Sequence, residues 1–219
     1  KLNIHTIILA GGKGTRMLSQ KAKVLQALGG RTMLNHVMKA ANKISNKISV
    51  VVGFDKEGVE EEIKKIGINA NTYLQREQIG TADAVKTTLK NIDKNEKVLI
   101  LYGDVPLIKE ETLKKLCNQE SDLSILTTNL ENPTGYGRTL KDKENNVLGI
   151  IEEKDADLEQ KKIKEIFTGI LVAKGSVLKK YIPEIDNNNS AKEFYLTDLI
   201  GIAHKNGFKI NTLRSSNEE

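Results

Sequence analysis

Short apolar runs alternate with longer amphipathic segments through the first half of the chain. The runs are rich in Ile, Val and Leu, as at 98–101, and a parallel strand buried on both faces needs such continuous apolar character. The pattern predicts strands at 4–10, 48–53, 72–74 and 97–102, and helices at 33–43, 56–65, 81–90 and 110–118. We therefore expect an α/β fold with a mostly parallel central sheet flanked by helices, and a ligand at the carboxyl ends of the strands.

The second half of the chain is less regular and predicts a smaller, β-rich lobe. Strands are expected at 124–128, 147–152, 166–172 and 209–213, a last helix at 195–205, and turns at 132–135 and 145–146. No repeat, linker or composition change divides the chain, so residues 1–219 are predicted to form one domain. The polar tail at 215–219 ends without a terminator signal, which we interpret as a truncation.

Composition and charge narrow the class of protein. Cys117 is the only cysteine, no apolar run reaches membrane-spanning length and no signal peptide is present, which favours a cytoplasmic protein with no membrane partner. The net charge of +5 is spread through helical segments, and the chain has no Trp and only 4% aromatic residues. A nucleic-acid surface is therefore not expected, whereas a small anionic substrate suits the modest basic excess.

A glycine-rich loop follows the first predicted strand, in the sequence LAGGKGTRM at 9–17. Glycines at this place let backbone N–H groups approach an anion, and Lys13, Arg16 and Lys23 add positive charge. The loop is not a P-loop, and Met17 stands where a dinucleotide-binding fingerprint requires its third glycine. The pattern favours a triphosphate site, and the alternative is a tight turn with solvated charges.

Polar residues follow two other predicted strands. Asp104 comes just after a buried strand, and a single carboxylate with phosphate oxygens and water suffices for Mg²⁺; the alternative is a helix N-cap. Gln75 offers both a donor and an acceptor for a pyrimidine edge, while Gly80-Thr81 also reads as a helix start with Thr81 as its cap. His5, His36 and His204 lack metal-ligand spacing and are interpreted as structural.

Six strings occur together in this chain: QREQIGT (75–81), LYGDVPL (101–107), NPTGYGR (132–138), EEKDA (152–156), TGIL (168–171) and EFYLTD (193–198). With the glycine-rich loop they resemble the sugar nucleotidyltransferases, and in particular the uridyltransferase domain of the bifunctional N-acetylglucosamine-1-phosphate uridyltransferases. The resemblance extends over nearly the whole chain. It implies a Rossmann-like nucleotidyltransferase fold with a smaller sugar-binding lobe.

The resemblance also implies an activity and its residues. A uridylyl group is transferred from UTP to N-acetylglucosamine-1-phosphate, giving UDP-N-acetylglucosamine for peptidoglycan synthesis, and pyrophosphate, with Mg²⁺ as cofactor. Arg16, Lys23 and Asp104 are expected to be catalytic, with Asp104 as the metal ligand. Substrate contacts are expected from Leu9, Ala10, Gly11, Gly12, Lys23, Gln75, Gly80, Thr81, Tyr102, Gly103, Asp104, Gly137 and Glu152.

The sequence departs from the family pattern at several places. Ala22 replaces the usual Pro before the phosphate-binding lysine, Phe167 replaces an Asn of the sugar pocket, and Ala191-Lys192 replaces a Gln-Gly pair. The chain ends before the family's second metal ligand, an Asn, and lacks the hexapeptide-repeat acetyltransferase domain. We expect a monomeric fragment of a trimeric parent. Another sugar-1-phosphate or base, or a catalytically weak UTP-binding fragment, stays open as an alternative.

Overall fold

A central sheet divides the helices of the protein into two layers. The computed structural model describes residues 3–12, 20–105 and 108–216. The strands are β1 Ile4–Leu9, β2 Ala27–Leu28, β3 Arg31–Thr32, β4 Lys47–Val52, β5 Asn71–Leu74, β6 Lys97–Tyr102, β7 Leu123–Asn129, β8 Arg138–Lys141, β9 Val147–Ile151, β10 Glu165–Lys174 and β11 Asn211–Arg214. The helices are α1 Met33–Ile44, α2 Lys56–Ile66, α3 Thr81–Lys86, α4 Glu110–Cys117, α5 Gly175–Tyr181 and α6 Asp198–Lys205.

The strands of this sheet follow the order β11-β7-β10-β6-β1-β4-β5, with β8 branching from β10 and pairing β9. Strands β6, β1, β4 and β5 run parallel, and β10 runs antiparallel to both β6 and β7. In the parallel part, Ile8 of β1 lies opposite Val50 of β4 and Leu101 of β6. The predicted α/β fold with a mostly parallel central sheet is confirmed.

Side chains of β1 alternate between two hydrophobic cores, one on each face of the sheet. Ile7 and Leu9 point to a core that includes α3, α5 and α6, whereas Ile8 and Ala10 point to a core that includes α1, α2 and α4. This alternation follows from the two-residue period of a strand. It explains why the second half of β1, residues 7–9, is apolar at every position rather than at every second one.

Backbone hydrogen bonds extend past the ends of the parallel strands and fix them at one edge. The Gly103 N–H donates to the Leu9 carbonyl (3.0 Å), and the Gln75 N–H donates to the Val52 carbonyl (2.8 Å). The Phe54 N–H donates to the Gly11 carbonyl (3.0 Å). The segments that follow β1, β4, β5 and β6 therefore lie side by side, at the edge where a ligand was expected.

The second half of the chain differs from the predicted elements at three places. Helix α5, which directly follows β10, was not predicted, and neither was strand β8, which comes shortly after the turn expected at 132–135. The last helix begins at Asp198 rather than at residue 195, because the carbonyls of residues 195–197 accept from the N–H groups three residues ahead, which makes a tighter turn before the α-helix. Among the helices of the described segments, none is long and apolar enough to cross a membrane.

Candidate active site

A cavity of about 580 Å³ opens at the carboxyl ends of β1, β5 and β6. Its lining includes the predicted residues Leu9, Ala10, Gly11, Gly12, Lys23, Gln75, Gly80, Thr81, Tyr102, Asp104 and Glu152. It also includes residues that are not among the predicted substrate contacts: Val24, Gln78, Ala84, Glu193, Tyr195 and Thr197. A volume of this size is typical of clefts that bind small molecules and cofactors.

Three predicted residues stand apart from this lining. Gly103 lies directly behind it, since a Cβ at Gly103 would be 2.9 Å from Cγ1 of Val24. Gly137 lies beside Glu152, with a Cβ position 3.6 Å from its Oε1. Arg16 and Lys13 lie outside the described residues. That these two side chains bind a triphosphate therefore stays a prediction, with a turn carrying solvated charges as the alternative.

The glycine after β1 permits close contact between neighbouring strand ends. A Cβ at Gly11 would lie 3.3 Å from the Val52 carbonyl carbon and 3.3 Å from the Gly53 nitrogen. In contrast, no atom of the described residues lies within 4 Å of the Cβ position of Gly12. Gly11 is thus needed for packing, while the described residues leave the space beside Gly12 open at the cavity, where a phosphate can approach the main chain.

The Gln75 side chain is buried, with 5% of its surface exposed, and has a fixed orientation. Its Nε2 donates to the Gly80 carbonyl (3.0 Å) and to Oδ2 of Asp83 (3.0 Å). An amide nitrogen has only two hydrogens, so both donors are used inside the protein. A ligand in the cavity therefore meets Gln75 as an acceptor, through Oε1.

Gly80 joins the start of α3 to the segment before α6. Its φ is +124°, and a Cβ there would lie 2.3 Å from the Phe194 carbonyl oxygen. Phe194 donates to the Ile79 carbonyl (2.8 Å) and accepts from the Ala82 N–H (2.9 Å). Only glycine has the conformation and the small size that this contact requires.

The prediction that Thr81 caps α3 is wrong. Gly80 occupies the N-cap position, and Thr81 is the first helical residue. The Thr81 Oγ1 instead accepts the Leu196 N–H (2.8 Å), across more than a hundred residues of sequence. Thr81 also hydrogen-bonds the Tyr102 phenol, whose pKa is raised by burial and by the nearby charge of Glu152.

Lys23 and Asp104 form an ion pair in the cavity, with 3.1 Å between Nζ and Oδ2. The alternative of Asp104 as a helix N-cap is excluded, because α4 begins at Glu110 and Lys109 occupies its N-cap position. The segment around Lys23 is held although it lacks the family's proline. The Ala22 N–H donates to Oδ2 of Asp55 (3.1 Å), and Ala22 is fully buried.

The donors at Asp104 fit a magnesium ion bound together with a substrate. In the described part of the chain, no group of three or more His, Cys, Asp or Glu side chains is arranged to hold a metal. Mg²⁺ does not need such a group, because it retains water and uses one or two carboxylates plus phosphate oxygens. The ammonium group already beside Asp104 shows that this carboxylate accommodates a cation.

The far end of the cavity is acidic. Oε1 of Glu152 accepts a hydrogen bond from the Thr197 hydroxyl (2.9 Å). Burial raises the pKa of Glu152, and repulsion from Asp155 and Glu193 raises it further. Burial likewise raises the pKa of Tyr195 to about 12, with a contribution from Glu193. This end therefore offers hydrogen-bond acceptors and a negative field to a ligand.

A buried arginine positions the turn at 135–138 beside Glu152. Arg138 is 1% exposed; it pairs with Glu153 (2.5 Å) and donates to the Lys161 carbonyl (3.2 Å). The adjacent Gly137 carbonyl accepts the Phe167 N–H (2.9 Å). Phe167 itself is 5% exposed and packs in the hydrophobic core, so its ring does not line the cavity.

Comparison with known proteins identifies the family. The MobA-like NTP transferase domain matches residues 6–156, more than half of the chain. The chain belongs to this family of NTP transferase domains. It is therefore a nucleotidyltransferase domain, and its glycine-rich strand ends, Gln75 and Asp104 lie within the matched region.

Two curated relatives are similar to this MobA-like domain over 218 residues, or 99% of the chain. Both are named "Bifunctional protein GlmU"; one, from Ruthia magnifica subsp. Calyptogena magnifica, is 43% identical, and one, from Vesicomyosocius okutanii subsp. Calyptogena okutanii, is 44% identical. The family resemblance predicted from the sequence is confirmed. The chain spans 48% of the length of each of these relatives, about half.

A solved structure supports the fold. A putative glucose-1-phosphate thymidylyltransferase from Bacillus anthracis, crystallised with sucrose, superimposes with a TM-score of 0.79. The alignment covers 97% of this chain and 87% of that one, at 20% identity. At this level of identity the likeness concerns the fold alone.

Proposed function

We propose that the protein transfers a uridylyl group from UTP to N-acetylglucosamine-1-phosphate, releasing pyrophosphate, in a Mg²⁺-dependent reaction in the cytoplasm. The observation that carries the proposal is one continuous cavity that joins three features. These are the glycine-rich strand ends with Gln75, the Lys23–Asp104 pair, and the acidic end at Glu152. The similarity to two proteins named GlmU supports the same assignment.

Gln75 favours a uracil or thymine base over cytosine. Both of its amide hydrogens are donated to Gly80 and Asp83, which leaves an acceptor toward the cavity. An acceptor placed opposite N3 of the base binds the N3–H of uracil or thymine but meets the lone pair of cytosine N3, since the donor hydrogens of cytosine are on its exocyclic N4. UTP or dTTP is therefore a better partner than CTP for this side chain.

The phosphate chemistry needs positioning and charge neutralisation rather than a covalent intermediate. An oxygen of the sugar phosphate attacks the α-phosphorus of the nucleotide in line with the departing pyrophosphate. Asp104 would hold Mg²⁺, which when bound supplies charge neutralisation on the phosphates. Lys23, and Arg16 by prediction, would bind the phosphate oxygens as charge accumulates on the transferring and leaving groups.

The acidic end suits a sugar with hydroxyl or amide donors. Glu152 keeps one carboxylate oxygen bonded to Thr197, and water shields its charge only in part because the residue is half-buried. Sugar hydroxyls and an acetamido N–H are both donors, so Glu152 accepts either. The Phe167 side chain lies in the core and offers no hydrogen bond to a sugar, which keeps glucose-1-phosphate as the second candidate acceptor.

The test is pyrophosphate release with Mg²⁺, using N-acetylglucosamine-1-phosphate or glucose-1-phosphate against UTP, dTTP and CTP. We expect release with UTP and the N-acetylated sugar, and no release with CTP. Turnover with glucose-1-phosphate alone would change the acceptor that we assign but leave the class of reaction the same. If no pair released pyrophosphate but calorimetry showed that UTP binds, the proposed enzymatic activity would be contradicted and a UTP-binding fragment would be favoured.

A further inference from the structure

Lys23 and Asp104 make an unusual pair, because each is assigned to a different ligand. Lys23 is expected to bind phosphate and Asp104 to bind metal, yet in this structure they bind one another at 3.1 Å. Within the described segments, Lys23 is the only cationic side chain among the cavity-lining residues. The ammonium group therefore occupies a cation position on the metal-binding carboxylate.

The main chain around Lys23 is anchored, whereas its side chain has room to move. Ala22 is fully buried and bonded to Asp55, and Val24 is 4% exposed and packs against Gly103. The Lys23 side chain is 45% exposed and that of Asp104 is 30% exposed. Ion pairs this open to water are weak and exchange readily. The lysine can thus leave Asp104 without a change in the backbone.

We propose that Lys23 is an internal counter-ion that blocks Asp104 in the ligand-free protein and releases it when nucleotide phosphates bind the lysine. Metal and nucleotide then bind cooperatively through a single side chain. The inference rests on the proposed function, because it takes Asp104 as the metal ligand. It adds a regulation of that site, in which free metal is disfavoured until a nucleotide is present.

The cooperativity follows from linkage. A metal ion that binds alone must displace the ammonium group from Asp104. The free energy of metal binding is therefore reduced by the free energy of the ion pair that is lost. A bound nucleotide has already drawn the lysine to its phosphates, so the metal then meets a free carboxylate. By reciprocity, the metal must strengthen nucleotide binding by the same factor.

The experiment measures Mn²⁺ binding to the nucleotide-free protein by electron paramagnetic resonance. We expect Lys23→Met to bind Mn²⁺ at Asp104 about fivefold more tightly than wild type, the upper range for a partly exposed ion pair. Lys65→Met removes the same charge from an exposed position on α2 and should leave the affinity unchanged. Lys23→Gln serves as a second variant, and thermal unfolding checks that each variant is folded.

A second measurement uses α,β-methylene-UTP, which resists transfer. The factor by which this nucleotide strengthens Mn²⁺ binding should be about fivefold smaller in Lys23→Met than in wild type. Equal Mn²⁺ affinities in wild type, Lys23→Met and Lys23→Gln would overturn the inference while leaving the proposed reaction intact. If Asp104→Asn kept the wild-type Mn²⁺ affinity, the metal site itself would be wrong, and pyrophosphate release would then decide the function separately.

Discussion

The two ends of the cavity are built in different ways. The end that we assign to the nucleotide is built on the main chain at the tips of β1, β5 and β6, which hydrogen bonds between adjacent strands hold, and it carries the side chains of Gln75, Lys23 and Asp104. The end that we assign to the sugar consists of side chains from separate segments. There the Thr197 hydroxyl bonds Glu152 across 45 residues of sequence.

The charges of the two ends differ as well. The nucleotide end carries the Lys23–Asp104 pair, whose charges balance and remain partly in water. The sugar end concentrates Glu152, Glu193 and Asp155, and burial, with a further contribution from the repulsion of Asp155 and Glu193, raises the pKa of Glu152. Substitution of one partner should be the main way to alter an ion pair whose charges balance. An acidic cluster with no balancing cation should in addition change its properties with pH, because its carboxylates have raised pKa values. The following predictions test this difference.

The largest expected effect comes from the nucleotide end. Asp104→Asn keeps the size of the side chain and removes the charge that would hold Mg²⁺. We expect pyrophosphate release to fall by about 10³-fold in kcat, because charge neutralisation at the transferring phosphate is the main catalytic contribution. Asp122→Asn, which changes an aspartate outside the cavity, is the matched control and should retain full activity. Activity within tenfold of wild type would show that Asp104 is not the metal ligand.

The contrast between the two ends also explains what the sequence revealed. At the nucleotide end, the glycine-rich loop and Asp104 could be placed at the ligand edge because they follow apolar strands, and such strands end at one edge, whereas contacts from Gln75, Gly80 and Thr81 were expected from the family resemblance. At the sugar end, only Glu152 and Gly137 were predicted. Glu193 and Thr197 reach the cavity through contacts distant in sequence, which no local period encodes, although both lie within the string EFYLTD.

The position of Thr81 shows why local rules fail between these ends. Thr before a helical run favours an N-cap, and the sequence predicted one. In the structure the hydroxyl accepts the Leu196 N–H, so a tertiary contact replaces the local one. Helix α5 was missed for a related reason: it has only seven residues and no side-chain cap, and it begins at a glycine packed against the Asp93 carbonyl.

The second prediction concerns a substitution that disrupts the contact between Gly80 and Phe194, which connects the two ends of the cavity. In Gly80→Ala, the new Cβ would meet Phe194 at 2.3 Å in a backbone with φ of +124°, so we expect a loss of about 3–4 kcal/mol in unfolding free energy. Gly207→Ala is the control, because its φ is +85° but no atom of the described residues lies within 4 Å of its Cβ position. That variant should lose only about 1–2 kcal/mol from backbone strain. If urea unfolding showed the same loss of unfolding free energy in both variants, the segment at Phe194 would be able to shift and accommodate the new Cβ at little cost.

The third prediction separates sugar binding from nucleotide binding. Glu152→Gln retains an oxygen for the Thr197 hydroxyl and removes the negative charge. A hydrogen bond to a charged group is worth about 1.5–3 kcal/mol, so the KM for the sugar phosphate should rise about tenfold or more, while the KM for UTP changes little. Glu120→Gln, at an exposed position outside the cavity, should change neither value. A rise confined to the UTP KM would reverse our assignment of the two ends.

The smallest expected effect concerns Asp198, the residue after Thr197, because its pKa responds to the negative charges at the sugar end. Burial raises its pKa to about 6 from the ordinary 3.8, and repulsion from Asp186 and Glu152 contributes. Because the folded protein holds this proton more tightly than the unfolded chain, stability is lost as pH rises through the window from about 4 to 6. Asp198→Asn removes the titration and should be more stable than wild type above pH 6 by about 1–2 kcal/mol, after allowance for partial exposure.

The pH dependence distinguishes this titration from a simple packing effect. The gain of Asp198→Asn over wild type in urea unfolding should be small near pH 4 and should grow until about pH 6, whereas a packing effect would be the same at every pH. Glu144→Gln, an exposed glutamate on the turn before β9, should show no such growth. In the Glu152→Gln background the growth should be smaller, because one source of repulsion is gone. A gain that does not vary with pH would show that the charges of the sugar end do not act on Asp198.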